Sequence, residues 1–248
     1  MPVPGLDLGP AMTREPEPEP IAAQPIGSRV DARPAQSPQA VTLAGRHGTV
    51  ERLDPARHRA SLWEAVRDDD RIWTYMAYGP FADEAVFSDW LATREEIGDP
   101  FYYAIVEPAG RAVGLAALMS IRPDMRVIEV GNILLSPAVQ RTPLATEAQY
   151  LLARYAFETL GFRRYEWKCN ALNAASRRAA LRFGFSFEGI FRNHMIIKGR
   201  NRDTAWFAML ESEWPARKAA FERWLDLENF NPDGTQRMKL GDLNAANP

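Results

Sequence analysis

Apolar residues follow two patterns along this chain, one typical of strands and one typical of helices. Short apolar runs bounded by glycine, proline or polar turns predict β-strands at residues 101–107, 112–121, 125–135, 163–170, 186–200 and 203–213. Apolar positions three or four residues apart predict helices within residues 58–68, 81–97, 136–162, 173–184 and 213–227. Residues 41–53 alternate less clearly between glycines and predict a first strand or hairpin.

The order of these elements decides the fold class. A hairpin and two helices come first, three consecutive strands follow, and the chain then runs helix, strand, helix, two strands and a last helix. Three strands joined by short turns form an antiparallel meander, whereas the later strand, helix and strand imply one parallel pair. The sequence therefore predicts an α+β fold with a mixed, mostly antiparallel central sheet and helices on both faces. It excludes a plain doubly wound parallel sheet.

The two ends of the chain differ in composition from its middle. Residues 1–40 hold nine of the 19 prolines and no aromatic residue. Such a segment cannot bury enough apolar surface to offset the entropy of ordering. We expect a disordered Pro-rich leader at 1–40, a folded domain at 41–228 and a polar C-terminal tail at 229–248.

Charge and cysteine content narrow the function. A net charge of -2 offers no basic surplus that would attract nucleic acid or an anionic membrane. The single cysteine, Cys169, excludes an internal disulfide, the first residues lack a signal-peptide pattern, and no apolar run is long enough for a membrane span. Three histidines and one cysteine give no usual zinc spacing. We therefore expect a cytoplasmic protein without metal, nucleic-acid or membrane partners.

The strand-to-helix junction at residues 136–146 carries the clearest chemical signal. A helix that starts after a tight turn exposes backbone N–H groups at the positive end of its dipole, where a diphosphate can bind. Arg141 adds a cation, and Thr142 and Thr146 add hydroxyl donors. Capping by Thr142 and Pro143 explains the same residues without a ligand. The junction alone leaves both interpretations open.

Gln140 to Ala145 resembles the Q/R-x-x-G-x-G/A acyl-CoA diphosphate loop of the GNAT superfamily of N-acyltransferases. The flanks match as well, with Glu129-Val130-Gly131 before the loop and with Asn173-Ala174-Ala175-Ser176 and Phe183-Gly184-Phe185 after it. The resemblance spans about residues 41–215, and the chain looks most like the Rim-type branch of ribosomal-protein N-terminal acetyltransferases. It implies acetyl-CoA as co-substrate and a V-shaped splay between two strands of the sheet.

The resemblance also assigns roles to individual residues. The pantetheine arm of CoA would pair with the end of the strand, and the diphosphate would lie on the loop. The residues implied in cofactor binding are Ile133, Leu134, Leu135, Gln140, Arg141, Thr142, Leu144, Ala145, Thr146, Asn173 and Ser176. Pro143 departs from the motif, because it occupies the first glycine position and has no N–H to donate. We expect CoA binding to be retained with one donor fewer.

Catalysis by such an enzyme needs an acid and a base. In the Rim-type branch a serine at the position of Ser176 protonates the departing CoA thiolate, whereas the tyrosine that many other members use is replaced here by Ala180. Capping of a helix explains Ser176 equally well. The base must take a proton from the attacking ammonium, and Glu129 and His194 lead, with Glu166 third. For each of these three, an ordinary hydrogen-bonded strand position is the alternative.

An acceptor site is expected between the first two helices, where this family builds the acceptor wall. Trp73, Tyr75 and Tyr78 lie there, although core packing explains them as well. The whole pattern predicts an enzyme, an acetyl-CoA-dependent N-acetyltransferase whose primary amine, on a protein N-terminus or a small molecule, attacks the thioester directly. The alternatives are a non-catalytic CoA-binding sensor or scaffold, and a longer acyl donor such as succinyl-CoA. The sequence leaves a homodimer open.

Overall fold

A computed structural model of the protein describes residues 24–246, which divide into two compact units at Arg33. Residues 24–32 are the described part of the first unit, and they are exposed and without regular secondary structure. The second unit begins at Arg33 and holds the helices and strands given below.

Residues 33–40, which the sequence assigned to the leader, are hydrogen-bonded within the second unit. The Gln36 N–H donates to the Leu160 carbonyl at 2.8 Å, and the Gln39 N–H donates to the Tyr155 hydroxyl at 3.0 Å. The rest of the predicted leader in the first 23 residues lies outside the described residues, and its disorder stays a prediction.

The described residues contain eight strands and six α-helices. The strands are β1 (Thr42–Ala44), β2 (Thr49–Arg52), β3 (Phe101–Val106), β4 (Ala112–Arg122), β5 (Val127–Leu135), β6 (Arg164–Asn170), β7 (Ser186–Ile197) and β8 (Arg200–Leu210). The helices are α1 (Pro55–Val66), α2 (Glu84–Glu95), α3 (Pro143–Arg154), α4 (Ala174–Arg182), α5 (Trp214–Leu225) and α6 (Leu240–Ala245). A π-helical turn, Tyr155–Thr159, extends α3, and α6 lies within the segment expected as a polar tail, where Leu240 is fully buried.

The strands form one sheet in the order β1-β2-β3-β4-β5-β6-β8-β7. Neighbouring strands are antiparallel except β5 and β6, which run parallel because the connection through α3 returns the chain to the same end of the sheet. The predicted α+β fold with a mixed, mostly antiparallel sheet is confirmed.

Side chains alternate between two faces of this sheet. The front face carries Glu129 and Lys168, and α1 and α2 pack on it over β3 and β4. The back face carries Trp167, and α3, α4 and α5 cover it with the apolar residues of the larger core. A group held between β5 and β6 would therefore meet different chemistry on its two sides.

Capping residues set the start of the helices that border this point. Thr142 caps α3, its hydroxyl accepting the Ala145 N–H at 3.4 Å, and Pro143 fills the first helical position. Asn173 caps α4 in the same way. The helix predicted within residues 136–162 thus begins at Pro143, and the residues before it remain a turn.

Candidate active site

Strands β5 and β6 separate before either strand ends. Their parallel pairing stops at Val130 and Trp167, although β5 continues to Leu135 and β6 to Asn170. A bulge follows in β5, where Asn132 has a φ of 49° and the register with β4 shifts. The two strands thus form the predicted V-shaped splay, and we call the pair Val130 and Trp167 its vertex.

A buried carboxylate lies beside the vertex on the front face. Glu129 is 6% exposed, and its Oε2 accepts hydrogen bonds from Lys168 Nζ at 2.8 Å and from Ser120 Oγ at 3.0 Å. The Lys168 ammonium also lies 4.1 Å from the centre of the Trp206 ring. The lysine supplies the counter-charge that a buried carboxylate needs. A carboxylate in this place can accept a proton from an amine on the front face.

Glu166, the third candidate base, is engaged by three cations, of which Arg122 is the farthest, with its Nη2 3.6 Å from Glu166 Oε1. Its carboxylate lies 2.7 Å from Arg164 Nε and 2.9 Å from Lys168 Nζ. Burial by itself would raise the pKa of Glu166, but the hydrogen bonds from Arg164 and Lys168 lower that pKa below its ordinary value. These contacts favour a structural role for Glu166 over proton transfer.

A serine lies beside the vertex on the back face. Asn173 Oδ1 accepts the Ser176 N–H at 3.0 Å, which fixes Ser176 in the first turn of α4. The Trp167 indole N–H donates to Ser176 Oγ, also at 3.0 Å. Burial raises the pKa of the Cys169 thiol, while a hydrogen bond with Ser176 opposes that shift. Ser176 is therefore held against the last β6 residue that pairs with β5.

The three residues of β5 that were predicted to bind the cofactor lie beyond the vertex, along the gap between β5 and β6. Ile133 to Leu135 form the end of β5, and their β6-facing backbone has no partner strand within the described residues. Leu134 is buried against α1 and α2, so its side chain contributes to the core. What this segment can offer a ligand is its backbone N–H and C=O groups, as an added strand would require.

The junction from β5 to α3 leaves donors available for an anion. Arg141 is exposed, and its backbone is left-handed, with a φ of 65°. No acceptor among residues 24–246 bonds the backbone N–H of Arg141 or Leu144. The side chains of Gln140 and Thr142 donate to main-chain carbonyls of the same segment. The helix start therefore offers two unbonded N–H groups and one cation beside Pro143, which has no N–H.

Arg182, which the sequence reasoning missed, lies beside this junction. Its Nη1 donates to Thr146 Oγ1 at 3.1 Å, and its guanidinium lies 4.8 Å from the centre of the Trp224 ring. Burial lowers the pKa of Arg182, and no carboxylate of the described residues forms an ion pair with it. A half-buried cation without an ion-pair partner favours an anionic ligand. The only feature of the sequence that could have indicated Arg182 was its position two residues before Gly184.

The segment between α1 and α2 reaches across the front of the opening. The Tyr78 hydroxyl donates to Asn132 Oδ1 at 3.4 Å, and the Tyr75 hydroxyl donates to the Leu172 carbonyl at 3.2 Å. Asn132 belongs to the bulge of β5, and Leu172 follows β6. The two tyrosines therefore connect this segment to both sides of the splay.

Trp73 has a different environment from the two tyrosines. Its side chain is 2% exposed and packs against Phe81 and Trp90 in the core between α1, α2 and the sheet. Its carbonyl accepts a hydrogen bond from Lys198 Nζ at 2.9 Å, which ties the β7–β8 hairpin to the same segment. Trp73 thus positions the segment between α1 and α2 through its backbone and its packing.

Two further side chains lie on the front face beyond Lys168. His194 Nδ1 lies 2.9 Å from Thr204 Oγ1, and Arg202 Nε donates to the same oxygen at 3.2 Å. His194 is exposed, whereas Arg202 is half-buried, and burial lowers the pKa of Arg202. No carboxylate of the described residues forms an ion pair with Arg202. The front face therefore offers a second candidate base and a cation with unused donors.

These features fit the two ends of CoA. The junction and Arg182 supply donors and positive charge for phosphates, while the splay offers free strand backbone for an amide-bearing arm. Residues 24–246 contain no cluster of three or more histidine, cysteine or acidic side chains that could hold a metal ion. None of the helices in that range combines the length and apolar character that crossing a bilayer requires.

Comparison with known proteins gives consistent matches. The family model described as "Acetyltransferase (GNAT) domain" matches residues 49–186. A crystal structure of a GCN5-related N-acetyltransferase from Brucella melitensis superposes with a TM-score of 0.84 at 44% identity, covering 87% of this chain and 99% of that one. A structure described as a probable GNAT-family acetyltransferase from Chromobacterium violaceum ATCC 12472 gives a TM-score of 0.73 at 40% identity, covering 79% and 100%.

A curated protein points towards the Rim-type branch. The protein of Bacillus subtilis (strain 168) named "Putative ribosomal N-acetyltransferase YdaF" is 24% identical over 178 residues, which cover 69% of this chain and 96% of the relative. This similarity agrees with the branch that the sequence motifs suggested.

Proposed function

The chain belongs to the GNAT acetyltransferase family, and on this premise we propose that it transfers an acetyl group from acetyl-CoA to a primary amine. The observation that carries the proposal is the placement of Glu129 and Ser176 on opposite faces of the sheet at the vertex. A thioester lodged in the splay would meet a carboxylate on one side and a hydroxyl on the other. Direct transfer needs both, because the amine loses a proton while the departing sulfur gains one.

The reaction proceeds in three linked steps. Glu129 accepts a proton from the attacking ammonium, directly or through water, and His194 is the alternative acceptor on the same face. A backbone N–H of the segment Ile133 to Leu135 stabilises the oxyanion as the C–N bond forms. Ser176 then supplies a proton to the sulfur as the C–S bond breaks.

Binding of CoA rests on the junction and on α4. The unbonded N–H groups of Arg141 and Leu144 would bind the diphosphate, and the half-buried Arg182 would replace the donor that Pro143 lacks. Asn173 orients the arm from the start of α4. This distribution supports retained CoA binding despite the departure from the glycine motif.

A second acyl donor is favoured by one observation. Arg202 is half-buried on the front face, donates one hydrogen bond to Thr204 and forms no ion pair within the described residues. A terminal carboxylate on the acyl chain, as in succinyl-CoA, or on the acceptor would compensate this cation. A comparison of the kcat/KM values for acetyl-CoA and succinyl-CoA, in the parent and in Arg202→Gln, distinguishes the two acyl donors.

The acceptor belongs to one of two classes, a protein N-terminus or a small-molecule amine. The name of the Bacillus relative favours the ribosomal protein class.

We also propose a cytoplasmic location. A homodimer stays a prediction. Strand β7 is one of the two outer strands of the sheet, and Phe191 and Ile196 on it are 53% and 82% exposed. Sedimentation velocity at several concentrations measures that equilibrium.

Release of the CoA thiol tests the whole proposal. The full chain is mixed with acetyl-CoA and a panel of small amines and ribosomal-protein N-terminal peptides, and free thiol is followed together with the mass of each acceptor. We expect one class to gain 42 Da, as acetylation adds roughly that mass. Tight CoA binding by calorimetry with no acetylated product from any acceptor would favour the non-catalytic CoA-binding scaffold instead.

A further inference from the structure

The hydroxyl of Ser176 has only one proton, and its direction depends on what the oxygen accepts. A serine hydroxyl is one donor and an acceptor, whereas an indole N–H is a donor only. Since Trp167 donates to Ser176 Oγ at 3.0 Å, the serine proton cannot point towards Trp167. The proton is therefore left to a partner other than the Trp167 indole.

Trp167 is held rigidly enough to impose this direction. Its side chain is 5% exposed and packs against the rings of Phe183 and Phe185, with centroids 6.0 Å and 5.7 Å away. Its backbone forms the last pair of β6 with β5, so the indole is anchored where the splay begins. Ser176 is fixed independently, because Asn173 caps its N–H. Both ends of the hydrogen bond are therefore pre-positioned.

We propose that Trp167 is a positioning residue, whose indole N–H holds Ser176 Oγ as an acceptor so that the serine O–H is presented as a donor to the CoA sulfur. This inference rests on the proposed function. A donated N–H also polarises the hydroxyl and makes it a better donor. In the transfer, the C–N bond forms and the C–S bond breaks. The amine proton passes to Glu129 and then to solvent, the sulfur takes the Ser176 proton, and solvent returns one to Ser176.

The test uses free coenzyme A as the probe, because it needs no acceptor amine. A donor aimed at the sulfur stabilises the thiolate and lowers the pKa of the bound CoA thiol, which ultraviolet absorbance of the thiolate reports during a pH titration. We expect the parent to bind CoA with a thiol pKa below that of free CoA. Trp167→Phe keeps the ring and removes the N–H, and we expect it to weaken thiol ionisation by roughly tenfold.

Three variants separate a positioning role from a structural one. Ser176→Ala should raise the thiol pKa at least as much as Trp167→Phe, and the double variant should match Ser176→Ala alone. Trp214→Phe is the matched control. Trp214, on α5, is also 5% exposed, and its indole N–H donates to Glu158 at 2.9 Å. It should lose a similar amount of thermal stability and leave the thiol pKa at the parental value.

Two results would overturn the proposal. A thiol pKa unchanged in Trp167→Phe, or a Trp167→Phe shift that persists in the Ser176→Ala background, shows that the indole does not act through the serine. Failure of the proposed function is seen separately, as absence of CoA binding in the parent, and it overturns this inference as well. Where an acceptor is identified, Trp167→Phe should lower kcat about tenfold and change the KM for acetyl-CoA by less than about twofold.

Discussion

The Lys168 ammonium lies 2.8 Å from the Glu129 carboxylate, at the point on the front face where β5 and β6 separate. This pair fixes the position of the proposed base, Glu129, on the front face. We expect Glu129→Gln to lower kcat about 100-fold, because removal of a positioned general base costs that order of rate.

A comparison variant decides whether base chemistry or the ion pair is responsible. Glu166→Gln removes the other carboxylate near Lys168, 2.9 Å away. If Glu166→Gln slows the reaction as much as Glu129→Gln does, the loss comes from the shared lysine. If Glu129→Gln keeps the parental kcat while His194→Gln lowers kcat about 100-fold, the base is His194.

Arg182 should contribute directly to CoA affinity. Arg182→Gln keeps a donor for Thr146 Oγ1 but removes the half-buried charge, and we expect the Kd for CoA to rise about tenfold, as loss of a charge-assisted contact implies. Isothermal titration calorimetry measures the change. Arg178→Gln is the control, because Arg178 is exposed on the same helix. Equal losses in both variants would indicate a general charge effect and no specific contact.

Substitution of Pro143 tests the converse, a gain in CoA affinity. Pro143→Gly restores an N–H at the helix start, and we expect CoA affinity to rise several-fold while the free energy of unfolding falls by about 1 kcal/mol. Pro55→Gly is the matched control, because Pro55 opens α1 in the same position. It should lose similar stability without changing CoA affinity. Unchanged affinity in Pro143→Gly would mean that the missing N–H is not a phosphate contact.

Most of the fold could be predicted from the sequence, because the patterns that determine its helices and strands are local. Apolar periodicity located the strands and helices, and turn residues located the meander. The start of α3 followed from Thr142 and Pro143, whose capping chemistry acts within one helical turn. The Tyr155–Thr159 π turn and helix α6 were missed, since each is short and α6 depends on packing of Leu240 against distant elements.

The candidate site could be predicted only in part, because the contacts that position its side chains join residues from different elements. Ser176 and Glu129 came from motif resemblance, but the Trp167 indole that bonds Ser176 is nine positions away in the chain. The bond from Arg182 to Thr146 spans 36 positions. Sequence patterns report which residues share a helix or strand face; they do not report which side chains from two elements meet. Trp73 illustrates the same limit, since its aromatic character did not reveal that its carbonyl accepts a hydrogen bond from Lys198.

The acceptor wall should control the KM of the acceptor alone. Tyr75→Phe and Lys198→Met each remove one hydrogen bond that ties the segment between α1 and α2 across the splay. We expect the acceptor KM to rise about threefold to tenfold, in line with the loss of one net hydrogen bond, with the KM for acetyl-CoA unchanged. Tyr155→Phe, which loses a bond to Gln39 outside the site, should alter neither KM. A rise in both KM values would point to general loosening of the fold.

Acid stability should depend on the Arg164 and Glu188 pair. Arg164 Nη1 lies 2.7 Å from Glu188 Oε1, and this hydrogen bond lowers the pKa of Glu188 below its ordinary value of about 4.3. A carboxylate whose folded pKa is depressed stabilises the fold above its unfolded pKa and loses that contribution as pH falls through the folded pKa.

We therefore expect Glu188→Gln to be less stable than the parent at pH 7, by about 0.5–1 kcal/mol for a half-exposed pair, and the gap to close as the pH falls below about 4. Urea unfolding at a series of pH values measures both differences. Glu64→Gln is the control, because Glu64 is exposed and 3.8 Å from Arg111. A parental pH dependence that survives in Glu188→Gln would assign the acid loss to other carboxylates, with Glu166 on the same arginine the first to examine.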